Sequence, residues 1–135
     1  MIKGIYGINI AVKDLDAATK KYEDVFGIKS VPIASKEFAF PGLIGSKLNV
    51  GGIIINLIAS TQDNTSIAKF VEAKGEGLFL VSLLVDDIEN DIKNMEKKGA
   101  KFVLDKIAEA PIGKVNFVHP KTMHGVQFEV LQLKK

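Results

Sequence analysis

The stretch LFLVSLLVDDIENDIKNMEKKG, residues 78–99, restates an earlier one, INIAVKDLDAATKKYEDVFG, residues 8–27. At a constant separation of 73 residues (83 − 10), Ile10, Val12, Asp14, Leu15, Asp16, Lys20 and Glu23 match Leu83, Val85, Asp87, Ile88, Glu89, Lys93 and Glu96. Each copy closes on a glycine, Gly27 or Gly99. An internal repeat of this kind is one structural unit written twice, and the rest of the chain is read from it.

Around the first copy, Ile8, Ile10 and Val12 alternate with Gly7, Asn9 and Ala11, which predicts a strand over 7–12. Asp14 or Asp16 then caps a helix whose apolar stripe is Leu15, Ala18, Tyr22 and Val25, and Gly27 stops it. Ile28–Phe40 reads as extended, broken by Pro32, and Pro41–Lys47 as a loop carrying Gly42 and Gly45. Leu48–Val50 and Ile53–Ala59 flank Gly51-Gly52 as a hairpin. Ser66–Lys74 is a short connecting helix with Ile67, Phe70 and Val71 apolar, ended by Gly75-Glu76-Gly77.

Around the second copy the same order returns. Phe79–Val85 is a strand, and Asp87 caps a helix that turns Ile88, Ile92 and Met95 inward. Lys101–Leu104, Lys114–Val118 and Val126–Leu133 follow as strands, with a turn over His119–Gly125. The expectation is one α+β domain over 1–135, built from two βαβββ modules whose curled mixed sheets form a cleft. Module one covers about 1–60, a connector 61–77, and module two about 78–135.

The period-2 pattern sorts each strand into two faces. Ile8, Ile10, Val12 and Val81, Leu83, Val85 lie beneath the helices, as do Ile53, Ile55, Leu57 and Val126, Phe128, Val130. The cleft then receives Gly7, Asn9, Ala11, Leu80, Ser82, Leu84, Ile54, Asn56, Ile58, Gln127, Glu129 and Leu131.

Composition narrows the function. Apolar residues make up 47% of the chain, enough for a packed globule at this length. The absence of cysteine removes disulfides, thiolate nucleophiles, iron–sulfur clusters and cysteine-ligated zinc together. MIKGIYGINI shows no signal-peptide pattern and no apolar run is long enough to span a bilayer, so a cytoplasmic protein without membrane partners is expected. Net charge is +2, carried by scattered lysines with no arginine, which disfavours nucleic-acid binding.

The segment IAVKDLDAATKKYEDVFGI, together with the repeat, resembles the vicinal oxygen chelate superfamily of glyoxalase, bleomycin-resistance and extradiol dioxygenase proteins. The resemblance covers nearly the whole chain and implies a glyoxalase-like fold. SIAKFVEAKGEG, VDDI and VHPKTMHGVQFEV are more particular to its methylmalonyl-CoA epimerase branch. Family members usually bind one divalent metal through His, Glu or Gln, His and Glu. Carried over, these positions are Gly7, Asn56, Leu80 and Glu129, and the repeat relates 7 to 80 and 56 to 129. Gly7 and Leu80 supply no side-chain donor. A catalytic metal needs about three protein ligands, so no metal and no other cofactor is expected at this degenerate site.

The candidate cleft residues are therefore Gly7, Asn9, Ile54, Asn56, Leu80, Ser82, Gln127 and Glu129. Glu129, desolvated among Ile54, Ile58, Leu131 and Leu133, is either a base with a raised pKa or a structural relic. Asn56 either offers its amide to a substrate carbonyl or bonds to Glu129 or Asn9. His119, before Pro120, reads as structural and His124 as a solvated turn residue. Gly42, Gly45 and Gly51-Gly52 are turn glycines, not a phosphate loop. Lys47, Lys114 and Lys121 read as solvated, with contact to an anionic ligand at the rim as the rival reading.

The favoured reading is a binding protein that takes a small, partly apolar or acyl-thioester ligand without the usual metal. The alternative is an enzyme of the methylmalonyl-CoA epimerase or lactoylglutathione lyase type with Glu129 as base. Two further readings are a metal enzyme with unusual ligands including His124, and a structural partner with a filled cleft. The resemblance also implies a homodimer.

Overall fold

The computed structural model describes all of Met1–Lys135. Its elements run β1 (Ile2–Ala11), α1 (Leu15–Phe26), β2 (Val31–Ile33), β3 (Leu43–Val50), β4 (Ile53–Ser60), α2 (Ser66–Lys74), β5 (Gly77–Val85), α3 (Ile88–Lys97), β6 (Ala108–Ala110), β7 (Gly113–Val118) and β8 (Phe128–Leu133). The fold is α+β, with the βαβββ order present twice: β1-α1-β2-β3-β4 and β5-α3-β6-β7-β8. The chain packs as two compact units, Gly7–Phe79 and Met1–Tyr6 with Leu80–Lys135. No helix is long and apolar enough to cross a membrane.

In the first unit the strand order is β2-β3-β4-β1. β1 runs parallel to β4, from Gly7 opposite Ile54 to Ala11 opposite Ile58, while β3 pairs antiparallel with both β2 and β4. Asp14 starts α1, its carboxylate accepting from the Ala17 N–H at 3.1 Å. One sheet face packs Ile10, Val12, Leu48, Ile55, Leu57 and Ala59 against Leu15, Ala18 and Tyr22 of α1. The predicted stripe therefore holds except at Val25, which is 64% exposed. The opposite face is covered at one end, where Ala11, Leu43 and Ile58 meet Ile67, Phe70 and Val71 of α2 together with Phe38.

In the second unit the order is β5-β8-β7-β6, with β5 parallel to β8 and the other pairs antiparallel. Asp87 caps α3 through the Asn90 N–H at 3.4 Å. Ile88, Ile92 and Met95 pack on Val85 and Val130, with Phe102 and Ile107 alongside.

Four expectations are corrected. Pro41–Lys47 is not a loop, because β3 starts at Leu43. The glycine that suggested a turn, Gly45, sits inside the strand: a Cβ there would lie 2.8 Å from the Leu57 carbonyl oxygen. Ile28–Phe40 is not one extended segment, since only Val31–Ile33 pairs and Ser35–Glu37 forms a 3-10 turn. Lys101–Leu104 is not a strand. Phe102 makes a single bridge to Val118, and the Asn116 amide holds both the N–H and the carbonyl of Leu104 at 3.1 Å. The strand beside β7 is instead Ala108–Ala110. The last strand begins at Phe128, so Val126 lies in the preceding turn, 40% exposed, and not beneath a helix.

Candidate functional site

The four repeat-related positions are best followed one module at a time. In module two, Ser82 on β5 stands opposite Glu129 on β8 in the parallel register. Paired residues share a face, and Val130 packs toward α3, so both point away from that helix. The Ser82 hydroxyl donates to Glu129 Oε1 at 2.6 Å. Ser82 and the neighbouring Leu80 and Leu131 are almost wholly buried. Glu129 keeps some surface open, yet its carboxyl is surrounded closely enough that desolvation pushes its pKa up to about 7, with the Ser82 bond opposing the rise. Two aromatic residues complete this setting. Phe117 on β7 is the register partner of Glu129 on its other side. Tyr6 has its phenol pushed up, first by burial and then by the Glu129 charge.

In module one the repeat-equivalent pair is Asn9 and Asn56, opposite each other on β1 and β4. The Asn56 amide N–H donates to Asn9 Oδ1 at 3.0 Å. Asn56 Oδ1 is buried and makes no hydrogen bond. Of the partners weighed for Asn56, Asn9 is therefore the one in place, and Ser82 takes Glu129.

The remaining two family positions carry no side-chain donor. At Gly7 a Cβ would stand 1.9 Å from the carbonyl oxygen of Ile54, so this backbone admits no side chain there. Leu80 is apolar and 1% exposed. No three His, Cys, Asp or Glu side chains anywhere in the chain gather as a metal would require. The donors present do not fit a divalent ion.

The other candidates are placed as follows. Gln127 is half-buried just before β8, and its carbonyl accepts from the Val81 N–H at 3.2 Å. Leu133, expected among the surroundings of Glu129, is 41% exposed. His119 is structural: its Nδ1 accepts from the Lys121 N–H at 3.1 Å and its carbonyl takes the Thr122 hydroxyl. His124 is an exposed turn residue with φ 57°. Lys114 is a surface ion-pair partner of Glu89 at 2.9 Å. Tyr6 and Phe117 escaped sequence reading. Tyr6 lies outside the repeated segment, and Phe117 is identified only by strand register.

A family model for the glyoxalase/bleomycin resistance protein/dioxygenase superfamily matches residues 7–117. The chain belongs to this superfamily. Among solved structures, methylmalonyl-CoA epimerase from Mycobacterium tuberculosis is similar over 99% of this chain and 90% of its own, with 27% identity and a TM-score of 0.87. A Streptomyces coelicolor methylmalonyl-CoA epimerase variant in complex with 2-nitronate-propionyl-CoA is 25% identical, covering 98% and 96%, with a TM-score of 0.87. A methylmalonyl-CoA epimerase in complex with methylmalonyl-CoA and ammonium gives the same identity, coverage and score. No curated protein matches the chain.

Proposed function

We propose that this superfamily member binds a small acyl-thioester, of the acyl-CoA class, without a divalent metal. The observation that carries the reading is the contrast at the four family positions. Gly7 and Leu80 offer no ligand, while Glu129 survives as a desolvated carboxyl held by Ser82. A carboxyl poised near neutrality accepts or donates a hydrogen bond with little penalty, which suits a carbonyl-bearing ligand. The acyl-CoA class is supported by the relatives solved with methylmalonyl-CoA and with 2-nitronate-propionyl-CoA.

The test is thermal unfolding of purified protein with methylmalonyl-CoA, before and after chelation, alongside metal analysis. A ligand that binds only the native state raises its stability by mass action. The expected result is substoichiometric metal, a ligand-induced rise in Tm that chelation leaves unchanged, and loss of that rise in Glu129→Ala. A stoichiometric metal whose removal abolishes the shift overturns the reading.

A second reading rests on the pKa of Glu129 near 7, which matches a general base at neutral pH. Glu129 would then take the proton from the carbon beside the thioester carbonyl and return it. Incorporation of solvent deuterium into methylmalonyl-CoA, absent in Glu129→Gln, is the outcome that marks this chemistry. No exchange by the wild-type protein removes it.

A further inference from the structure

The Asn9–Asn56 pair of module one has bonding capacity left over. The two residues oppose each other on β1 and β4, and paired residues share a face. Their chain neighbours Ile10 and Leu57 pack in the α1 core, so both asparagines point to the other face. The bond between them uses the Asn56 N–H and Asn9 Oδ1. Each carboxamide keeps its second polar atom, an acceptor at Asn56 Oδ1 and a donor at Asn9 Nδ2. Asn56 Oδ1 is buried without a partner. No hydrogen bond within the chain engages Asn9 Nδ2. A buried acceptor left unsatisfied carries its full desolvation penalty, and a donor brought to it removes that penalty.

The pair has an apolar border. Its next register line toward α2 is Gly45, Ile58 and Ala11. A Cβ at Gly45 would meet Phe38 at 3.1 Å and Ile33 at 3.3 Å, so those two side chains fill the space above the glycine. Beside them Ile58 and Ala11 are buried. On β3 the register partner of Asn56 is Lys47, which is half-buried and in none of the ion pairs of the chain.

We infer that the Asn9–Asn56 pair is a subsite for a neutral carboxamide that shows its N–H and its carbonyl on one edge, a primary amide or a lactam. The ligand N–H donates to Asn56 Oδ1, and the ligand carbonyl accepts from Asn9 Nδ2. A short alkyl portion packs on Ile58, Phe38 and Ile33. An open-chain secondary amide is trans, sends its N–H and carbonyl to opposite edges, and so cannot meet both atoms of the pair. A carboxylate has no N–H and would set its charge against the Asn56 acceptor. The inference goes beyond the acyl-thioester reading and does not rest on it.

The test is an NMR titration of the isotope-labelled protein with isobutyramide, γ-butyrolactam, N-methylisobutyramide and isobutyrate, following the side-chain amide signals of Asn9 and Asn56. Wild type is expected to bind the first two about tenfold more tightly than the last two, with the signals of both asparagines moving. Asn9→Asp replaces the unused donor by an acceptor. It should lose the preference for isobutyramide and take isobutyramidine instead, whose amidinium offers two donors on one edge. Equal binding of isobutyramide and N-methylisobutyramide, or binding of neither, overturns the subsite. Tighter binding of isobutyrate overturns it in favour of an anion held by Lys47. A folded Asn9→Asp that still prefers isobutyramide to isobutyramidine overturns it as well, and the wild-type comparison decides where that variant does not fold. None of these outcomes bears on methylmalonyl-CoA binding, which is tested separately above.

Discussion

Module one and module two place equivalent residues in equivalent registers and fill them with different chemistry. Asn9 bonds Asn56 at 3.0 Å where Ser82 bonds Glu129 at 2.6 Å. The first pair does not titrate, whereas the second holds a carboxyl whose pKa is raised to about 7 by desolvation. The two family positions without donors differ as well. At Gly7 the Ile54 carbonyl has taken the room of a side chain, and at Leu80 the side chain is present, apolar and buried. On the next strand, Lys47 faces Asn56 where Phe117 faces Glu129. Module one pairs a fixed charge with neutral amides, and module two surrounds a titratable group with aromatic and apolar side chains.

The comparison breaks most sharply at Gly7 and Leu80. Gly7→Ala places a methyl 1.9 Å from a backbone oxygen and should cost more than about 3 kcal/mol or prevent folding. Leu80→Ala only opens a cavity, with an expected loss of about 3 kcal/mol. Chemical denaturation of both variants checks the order, and a tolerated Gly7→Ala would mean that the β1–β4 register is wrong.

The titrating pair comes next. The native state raises the pKa of Glu129 from 4.5 to about 7, so it retains a proton that the unfolded chain has lost. Its contribution to stability is therefore greatest below about pH 4.5 and declines as pH rises toward 7, by on the order of 3 kcal/mol. Glu129→Gln should flatten that part of the stability–pH curve, while Asn56→Asp in module one should add a decline of the same sign. Denaturation midpoints from pH 4.5 to 8 give the measurement. A wild-type curve that rises over this range contradicts the desolvated carboxyl.

The smallest difference lies at the helix caps. Asp14 accepts from Ala17 at 3.1 Å, whereas Asp87 accepts from Asn90 at a looser 3.4 Å. Asp14→Ala should cost about 1 kcal/mol and Asp87→Ala less, read from paired thermal melts.

Most of the architecture was legible because it was written twice. Alternation, the caps Asp14 and Asp87, the helix Ser66–Lys74 and the hairpin at Gly51-Gly52 all follow from local chemistry, and the structure agrees. The misreadings fall where a non-local partner overrides the local signal. Gly42 and Gly45 read as a loop, but Gly45 is a strand residue thinned for the Leu57 backbone. Phe102 and Val103 read as a strand, but the Asn116 side chain ties down the adjoining backbone at Leu104 and leaves the edge to Ala108–Ala110.

The sequence alone determined the duplicated α+β plan, the four repeat-related positions and the loss of donors at Gly7 and Leu80, because period and residue type are local properties. The tertiary structure decided how those positions are used. It closed the backbone over Gly7, desolvated Glu129 and brought Lys47 beside Asn56. The separation of 73 residues links Asn56 to Glu129, but the residues facing them, Lys47 and Phe117, are 70 apart (117 − 47). A two-residue turn joins β3 to β4, whereas residues 119–127 join β7 to β8, so the repeat loses its register on those strands. Which side chain faces which is set by hydrogen-bonded pairing between strands, and no spacing along one chain encodes it.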